Sequence, residues 1–529
     1  MSKKRHPGFR ARLALSTALA TIAFGYGSRG AYAGACAGGP NTYTCTGVAG
    51  ADVTQTLSGA PLTVTTASAF GITTAGGNGL SLTGTGGLTF TDTYSSAITG
   101  AARGINAVNN TSGALSLTTT GQVTGNTNVG MVVRGYAGTT GITVSTNGVT
   151  GSSRGIDARH YGSGAVSITT TGQVTGTGSV GMYARNVSGG DLTVSAVNVS
   201  GFSYGLDAFK NASGTLSVTV SGVVTGGTGA GLRARTGGGG TSVITLNSGA
   251  DVSSSSAPAI VGNGSNSTLL VNAGANVTGD IQLGGGTDDI TFNGGTFSAV
   301  TSFDGGTGAD SLTFTSVTGT VAGATVLNME NLTVGSSGNI SLSGTLNTDT
   351  VTVNSGGTLG GIATINADVT VNGGTLSAGN SPGQLDIVGN LDLGAASTTL
   401  VELEGLTAGS QYDQIDVSGG TATLTAGATF DIDFFGIFTA GLGDIFDILV
   451  ADDIVGIINT LNFDFSGATL GAGLIWDTSI VTVDTREALR LTVLESEADA
   501  LPEPSALALL GTILFGLFGY SRARRRKTA

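Results

Sequence analysis

Arginines recur at one position of an internal repeat between residues 101 and 240. They stand four residues after a marker glycine, as Arg134, Arg159, Arg185 and Arg235. A guanidinium group binds carboxylate or sulfate groups through paired, charge-assisted hydrogen bonds. Arginines on successive repeats would therefore form a ladder that binds an anionic polysaccharide. The alternative is an ordinary solvated face, whose charge is partly neutralised by Asp157 and Asp207.

A second candidate site is a Gly-Asp segment, DGGTGADSL, at residues 304–312. It fits a nonapeptide repeat that binds calcium between stacked coils, and it would supply the carboxylates of Asp304 and Asp310. Calcium takes about six to eight oxygen ligands, so carboxylates from adjacent turns would have to converge. The segment 284–290, GGGTDDI, is a less regular neighbour. The sequence thus allows calcium but indicates no other cofactor, and the alternative is two Gly-Asp turns between strands.

The residues needed for nucleophilic catalysis are scarce. The two histidines are His6 and His160, and we expect His160, beside Tyr161, to be a solvated turn residue. No HExxH, P-loop or CxxC pattern occurs. We therefore predict that the protein is not an enzyme. A polysaccharide-degrading enzyme stays as an alternative, because such enzymes can gather carboxylates on one face of a β-helix.

The two cysteines, Cys36 and Cys45, stand close together near the N-terminus. In an oxidising compartment, two cysteines that close a short loop usually pair. We predict a disulfide that fastens the N-terminal end of the fold and takes no part in chemistry. A pair of free thiols is the alternative.

The repeat that carries the arginines has a period of about 25 residues. Its marker glycines are spaced 26, 25, 26, 24 and 26 residues apart: Gly104, Gly130, Gly155, Gly181, Gly205 and Gly231. The first and third residues after each glycine are apolar and the second varies, which is typical of a strand with one buried face. This pattern predicts a parallel β-helix with one coil per period. The arginines, in the fourth position, would face outward.

The composition also favours an all-β solenoid. Glycine supplies 92 of the 529 residues and charged residues only 10 %, and glycine weakens helix interiors. Residues 101–240 hold eight basic and three acidic residues, whereas residues 241–500 hold two basic and 28 acidic ones. This asymmetry indicates separate domains. The excess of acidic residues argues against nucleic acid as a partner.

The N-terminus has the three parts of a secretory signal peptide. A basic start precedes an apolar run over residues 13–25, and Ala31 and Ala33 then have the spacing that signal peptidase reads. We predict a signal peptide over residues 1–33, cleaved before Gly34. A retained membrane anchor is the alternative, but the run is short for a span of about 20 residues.

The C-terminus combines Pro502-Glu503-Pro504, an apolar run over residues 506–520 and a final cluster of basic residues. This layout closely resembles the PEP-CTERM sorting signal, which an exosortase-type membrane enzyme processes. An ordinary tail anchor is the alternative. The resemblance implies a Gram-negative source and a precursor tethered to the inner membrane, with the basic cluster cytoplasmic. It also implies removal of the tail near the motif, association with exopolysaccharide or biofilm, and a final place at the cell surface or in the extracellular matrix.

Residues 373–383, GGTLSAGNSPG, resemble a strand repeat common in autotransporter passenger domains, and the 25-residue coils are similar in character. This resemblance implies a right-handed β-helix with a surface role. We therefore predict an exported structural or adhesin-like protein. An ice-binding protein is a further alternative. It would need Thr-x-Thr ranks on every coil, whereas the segments 117–120 and 168–171 indicate such ranks on alternate coils only.

These observations divide the chain into six parts. They are a signal peptide (1–33), an N-terminal cap with the first coils (34–100), regular β-helix repeats (101–262), an irregular β-solenoid (263–400), a β-rich capping region (401–498), and a sorting tail with a short hydrophobic helix (499–529).

Overall fold

The structure, a computed structural model, describes residues 35–49, 55–379 and 382–496. Within them the chain forms a parallel β-solenoid of about 14 turns with about 25 residues each, which confirms the predicted all-β class. The helices of this described part are two short 3-10 turns, Gly323–Thr325 and Ile458–Thr460. The predicted signal peptide and sorting tail lie outside the described residues.

The described residues form two compact units, one of those up to residue 319 together with 325–333, the other of 320–324 together with those from 334 to 496. The strands of the first unit are Ala35–Gly38, Thr42–Thr46, Val48–Ala49, Gln55–Gly59, Leu62–Thr66, Gly71–Thr73, Leu80–Gly84, Leu88–Thr91, Ile98–Gly100, Ile105–Asn109, Gly113–Gly125, Met131–Gly135, Thr139–Gly151, Ile156–His160, Ala165–Thr170, Gln173–Gly176, Met182–Asn186, Leu192–Ala196, Asn198–Gly201, Leu206–Lys210, Thr215–Val220, Val223–Gly226, Leu232–Thr236, Thr241–Leu246, Asp251–Ser254, Ile260–Asn263, Ser267–Asn272, Asn276–Gly284, Asp289–Asn293, Val300–Asp304, Ser311–Thr315 and Val326–Leu327.

Two strands contain residues of both units, Thr318–Ala322 and Asn331–Val334. The strands of the second unit are Asn339–Asn354, Thr358–Asn372, Thr375–Ser377, Gln384–Val388, Leu391–Leu393, Thr398–Leu403, Gln414–Leu424, Thr429–Phe434, Ile445–Gly456, Asn462–Gly467, Leu474–Val483 and Arg486–Glu495.

Each coil of the first unit contributes strands to three stacked columns. In one coil the strand Met131–Gly135 belongs to the first column, and the long strand Thr139–Gly151 supplies the second and the third. The strands pair in parallel and in register, so that Met131 pairs with Ile105 of the coil before and Ile156 of the coil after. We call the columns that contain residues 131–135, 139–146 and 149–151 face 1, face 2 and face 3.

The interior consists of the residues that the alternation predicts to face inward. The first and third residues after the marker glycines are all fully buried: Ile105, Ala107, Met131, Val133, Ile156, Ala158, Met182, Ala184, Leu206, Ala208, Leu232 and Ala234. Burying a large apolar side chain contributes about 1.5–3 kcal/mol. The stacked apolar columns therefore hold successive coils together.

The marker glycines are required by the close approach of neighbouring coils. A Cβ added to Gly130 would lie 2.5 Å from Val149 Cγ1 and 2.6 Å from the carbonyl oxygen of Thr150. A Cβ on Gly155 would lie 2.6 Å from the carbonyl oxygen of Gly181. Because a close-packed interior has no room for the extra atom, the glycine recurs once in each coil.

A column of buried polar residues lies at the end of face 1. The fifth residue after the marker glycine is buried and polar in five coils: Asn109, His160, Asn186, Lys210 and Thr236. His160 Nδ1 lies 3.2 Å from Asn186 Oδ1, and its Nε2 lies 3.1 Å from the carbonyl oxygen of Thr139. The expectation of a solvated turn residue at His160 is wrong, because the strand alternation continues through the fifth position and directs it inward.

Antiparallel strands occur at the two ends of the described chain. Near the N-terminus, Ala35–Gly38 pairs with Thr42–Thr46, and a disulfide joins Cys36 to Cys45. In the second unit, Arg486–Glu495 pairs with both Ile445–Gly456 and Leu474–Val483. An antiparallel strand interrupts the parallel ladder, whose open edge would otherwise invite pairing with another chain.

Candidate functional site

Face 1 places the predicted arginines in one column. Arg134 pairs with Arg159, Arg159 with Arg185, and Phe209 separates Arg185 from Arg235. Their side chains lie on the outer side of strands that are about 4.8 Å apart. Like charges opposite one another at this spacing are destabilising. The column therefore needs negative groups close by.

Asp157, on the same strand as Arg159, supplies that negative charge for the first coils of the column. Its carboxylate accepts hydrogen bonds from Arg134 at 2.7 Å and from Arg154 and Arg159 at 2.9 Å each. Because these side chains cover it, Asp157 is only 3 % exposed, although it lies on the outer face. Burial by itself would raise the pKa of Asp157, but the hydrogen bonds and charges of Arg134 and Arg159 outweigh it and hold the pKa below its usual value.

Asp207 has the same role two coils further on. It is 2 % exposed and accepts hydrogen bonds from Arg233 at 3.1 Å and Arg235 at 3.0 Å. Sequence reasoning missed Arg154 and Arg233 as members of the site, because neither stands in the fourth position of its coil. The available signal was the aspartate in the second position of alternate coils, which requires several cationic partners once it is covered.

Arg185 differs from the other arginines of the column. It has no ion pair with a carboxylate among the described residues, and its Nε donates a hydrogen bond to Asn211 Oδ1 at 2.9 Å. Its guanidinium carbon lies 5.4 Å from the centre of the Phe209 ring, and that of Arg235 lies 4.5 Å from the same ring. A cation is attracted to the face of an aromatic ring, so Phe209 orients Arg185 without neutralising it.

Aromatic rings accompany the arginines along face 1. Arg159 lies 5.0 Å from the centre of the Tyr183 ring, and Arg233 lies 3.8 Å from that of Tyr204. The charged side chains of this surface, which we call the arginine face, are Arg134, Arg154, Arg159, Arg185, Arg233 and Arg235 against Asp157 and Asp207. Positive charges outnumber negative ones on this face.

A polar cleft of about 410 Å³ lies beside the continuation of this column. Its lining includes Ser254, Asp280, Gln282 and Thr301. Gln282 pairs with the strand that follows Leu232–Thr236, so the cleft lies on the next coils of face 1. Hydroxyl, amide and carboxylate groups thus extend the arginine face along the stack.

Face 2 has a different surface. Two of its outward-facing columns are in register and contain only serine and threonine over eight coils. The columns are Thr42, Thr63, Thr89, Ser116, Thr143, Ser167, Thr193 and Ser217, and Thr44, Thr65, Thr91, Thr118, Ser145, Thr169, Ser195 and Thr219. We call this surface the hydroxyl face. Every coil of this face presents two outward hydroxyl groups, but Thr-x-Thr itself does not occur on every coil, because from Ser116 to Thr219 serine takes one of the two positions.

The two Gly-Asp segments form stacked turns with buried carboxyl groups. Asp310 Oδ1 accepts the backbone N–H of Asp288 at 2.7 Å, and Asp288 Oδ1 accepts that of Ser267 at 2.6 Å. The second carboxyl oxygen of each aspartate has no hydrogen-bond partner within the described coils. Burial raises the pKa of Asp288 to about 7, and burial also raises the pKa of Asp310.

The predicted calcium ligands, Asp304 and Asp310, lie at the two ends of one turn. The Asp304 carboxylate accepts a hydrogen bond from Asn328 Nδ2 at 2.7 Å, whereas that of Asp310 is buried. In the described part of the chain, no group of three or more His, Cys, Asp or Glu side chains is arranged to hold a metal ion. Calcium binding at this turn stays a prediction.

The fold and these surfaces define a parallel β-solenoid protein with an arginine face and a hydroxyl face. No protein-family model matches the chain, and a comparison with curated proteins finds no significant match. Among residues 35–49, 55–379 and 382–496, no helix has the length and apolar character needed to cross a membrane. The sorting residues Pro502, Glu503 and Pro504 lie outside those ranges, so processing of the tail stays a prediction.

Proposed function

We propose that this protein is an exported structural or adhesin-like component of a Gram-negative cell surface or extracellular matrix, and that its arginine face binds an anionic polysaccharide. The observation that carries the proposal is Arg185, which has no carboxylate partner among the described residues and lies beside arginines, aspartates and aromatic rings. A solenoid repeats its surface groups at a constant interval. Such a surface suits a polymer with repeating acidic units. We also propose that the coils are right-handed, as the resemblance to autotransporter passenger domains implies, and that the C-terminal sorting tail forms a short helix.

The arginine face offers each part of an acidic sugar a matching group. Arg185 can bind a uronate carboxylate or a sulfate through charge-assisted hydrogen bonds. The rings of Tyr183 and Phe209 can pack against the apolar side of a sugar, and the polar cleft can bind its hydroxyl groups. Asp157 and Asp207 support this arrangement by holding their arginines in place.

A polysaccharide-degrading enzyme is the alternative reading of the same face. It would need a carboxyl group free to give or take a proton beside the sugar. Asp157 Oδ1 accepts a hydrogen bond from Arg159, and its Oδ2 accepts bonds from Arg134 and Arg154. Engagement of both oxygens favours binding over proton transfer.

The binding proposal is tested with a single substitution, Arg185→Ser. We expect the variant to lose most of its affinity for an acidic polysaccharide, and Arg185→Lys to keep part of it, because lysine lacks the two-pronged geometry. The measurement is a titration of the purified protein with alginate and with neutral dextran, at low and at moderate salt. Salt should weaken binding to alginate, since it screens exposed charges beyond about 10 Å at 0.1 M.

A second variant separates the position of the charge from its amount. Arg185→Ser combined with Thr143→Lys has the same net charge as the natural protein, but its new cation lies on the hydroxyl face. We expect this double variant to bind alginate as weakly as Arg185→Ser alone. Equal binding of alginate and dextran by the natural protein, or full recovery of binding in the double variant, contradicts the proposal.

The proposed route to the surface depends on the sorting motif. Replacing Pro502, Glu503 and Pro504 with alanine should leave an unprocessed precursor in the inner membrane, because the processing enzyme no longer recognises the tail. Cell fractionation and the size of the protein on an immunoblot give the result. Glu497→Ala with Asp499→Ala, just before the motif, is the matched control and should be processed normally. Arrival of the motif variant at the surface in normal size and yield contradicts the sorting proposal.

A further inference from the structure

The hydroxyl face is not explained by polysaccharide binding at the arginine face. In the coils that place Asp157, Tyr183 and Arg185 on face 1, two neighbouring outward columns of face 2 contain only serine and threonine, beside Ala165 at the start of one strand. Threonine is common in strands, but serine has no comparable preference for them. Charged and aromatic side chains occur on face 1 of these coils and are missing from the hydroxyl face. The difference between faces therefore exceeds what strand propensity produces.

The hydroxyl groups form a two-dimensional array with fixed spacing. Neighbouring coils lie about 4.8 Å apart, and the two columns are separated by two residues of a strand, about 6.6 Å. The intervening side chains face inward and are buried, as Val144, Ile168 and Val194 show. Because these side chains pack into the core, the backbone that carries the hydroxyl groups cannot shift easily.

The hydroxyl groups are directed to solvent rather than to one another. Among the described residues, hydrogen bonding between the hydroxyls of the two columns is confined to the first coils, where Thr44 and Thr65 lie 3.4 Å apart. Each hydroxyl can donate one hydrogen bond and accept two. From Ser116 to Thr219 every coil presents one serine and one threonine, so a methyl group stands beside hydroxyl groups throughout the array.

We propose that the hydroxyl face binds the surface of ice. An uncharged, rigid array of donors and acceptors can hold water molecules in a repeating arrangement, whereas charged groups orient the water around each ion separately. The methyl groups between the hydroxyls neither donate nor accept hydrogen bonds, so the hydroxyl groups alone fix the positions of the bound water. The spacing of the array lies in the range of oxygen-to-oxygen repeats on ice surfaces. This inference does not depend on the polysaccharide proposal, since it concerns a different face.

The test is the freezing behaviour of a solution of the purified full chain. We expect the protein to depress the freezing point below the melting point and to give growing ice crystals flat facets. Thr143→Lys together with Thr193→Lys should abolish both effects, because two long charged side chains hold the face away from the crystal. Val108→Lys, an outward residue of face 1, is the matched control and should keep full activity.

Two conservative double variants test the array without the risk that charged substitutions unfold the protein. Thr143→Ser with Thr193→Ser removes two methyl groups and should reduce the freezing-point difference, and Ser145→Thr with Ser167→Thr should increase it. Circular dichroism establishes that each variant is folded. Absence of any freezing-point difference in the natural protein overturns the inference. So does full activity in the folded double lysine variant, or adsorption to crystalline cellulose without any effect on ice.

Discussion

Replacing Asp157 with asparagine should lower the free energy of unfolding of the coils around it by about 3 kcal/mol. Asparagine keeps the size of the side chain but removes the negative charge that Arg134, Arg154 and Arg159 share. Breaking a buried ion pair from one side costs about 3–5 kcal/mol. The lower end applies here, because the arginine side chains are 16–31 % exposed and water can solvate them.

Hydrogen exchange measures this loss where it occurs. The amides of the strands Met131–Gly135 and Ile156–His160 should exchange faster in Asp157→Asn, whereas those of the second unit should not change. Asp251→Asn is the matched control, because the Asp251 carboxylate accepts a hydrogen bond from Asn276 Nδ2 and forms no ion pair with an arginine among the described residues. Equal protection in the two variants contradicts the role given to Asp157.

The same carboxylate should make these coils sensitive to acid. The pKa of Asp157 is below its usual value in the folded protein, so its contribution is present above the pKa of the unfolded chain. That contribution is lost as the pH falls through the folded pKa. In Asp157→Asn, the amides of these strands should therefore exchange at rates that depend less on pH in the acidic range. The comparison is made after correction for intrinsic exchange rates.

The coil structure could be predicted because its causes recur in the sequence. Gly130 and Gly155 are needed where neighbouring backbones approach closely, and buried residues follow them with period two. These two signals fix the length of the coil, the strand that follows the glycine and the side chains that face outward. The stacked arginines followed from that alternation alone.

The contacts of the face could not be predicted in the same way. Arg154 reaches Asp157 from the segment before its glycine, a position that the period does not define. His160 was a different kind of error, because it stands five residues after Gly155 and its inward direction followed from the same alternation. The regular columns of the hydroxyl face could not be recognised in the sequence. They appear only when coils with different sequences are aligned by their buried residues.

A rise in pH from about 4 to about 8 should destabilise the turn around Asp288. The pKa of this buried carboxyl is about 7, above its ordinary value of 3.8. The folded state therefore keeps a proton that the unfolded chain has lost, so the stabilisation is full below the unfolded pKa and disappears as the pH rises through 7. About three pKa units at 1.36 kcal/mol each give an upper value of about 4 kcal/mol.

Asp288→Asn should make this pH dependence much weaker, because asparagine stays uncharged. The measurement is the exchange of the Ser267 amide, which donates to Asp288 Oδ1. Asp413→Asn is the matched control. The pKa of Asp413 is also raised by burial to about 7, but this residue accepts the backbone N–H groups of Gly383 and Glu402 in the second unit. The Asp413→Asn variant should alter the pH response of the Gly383 and Glu402 amides only.

Calcium gives a separate outcome in the same experiment. A cation held between the free oxygens of Asp288 and Asp310 would stabilise the charged form, so millimolar calcium at pH 8 would protect Ser267 in the natural protein but not in Asp288→Asn. If low pH protects the Ser267 amide and calcium does not, the buried carboxyl groups bind a proton rather than a metal ion. An unchanged pH response in Asp288→Asn would contradict both readings, because it would mean that the buried carboxyl stays in one protonation state over the whole range.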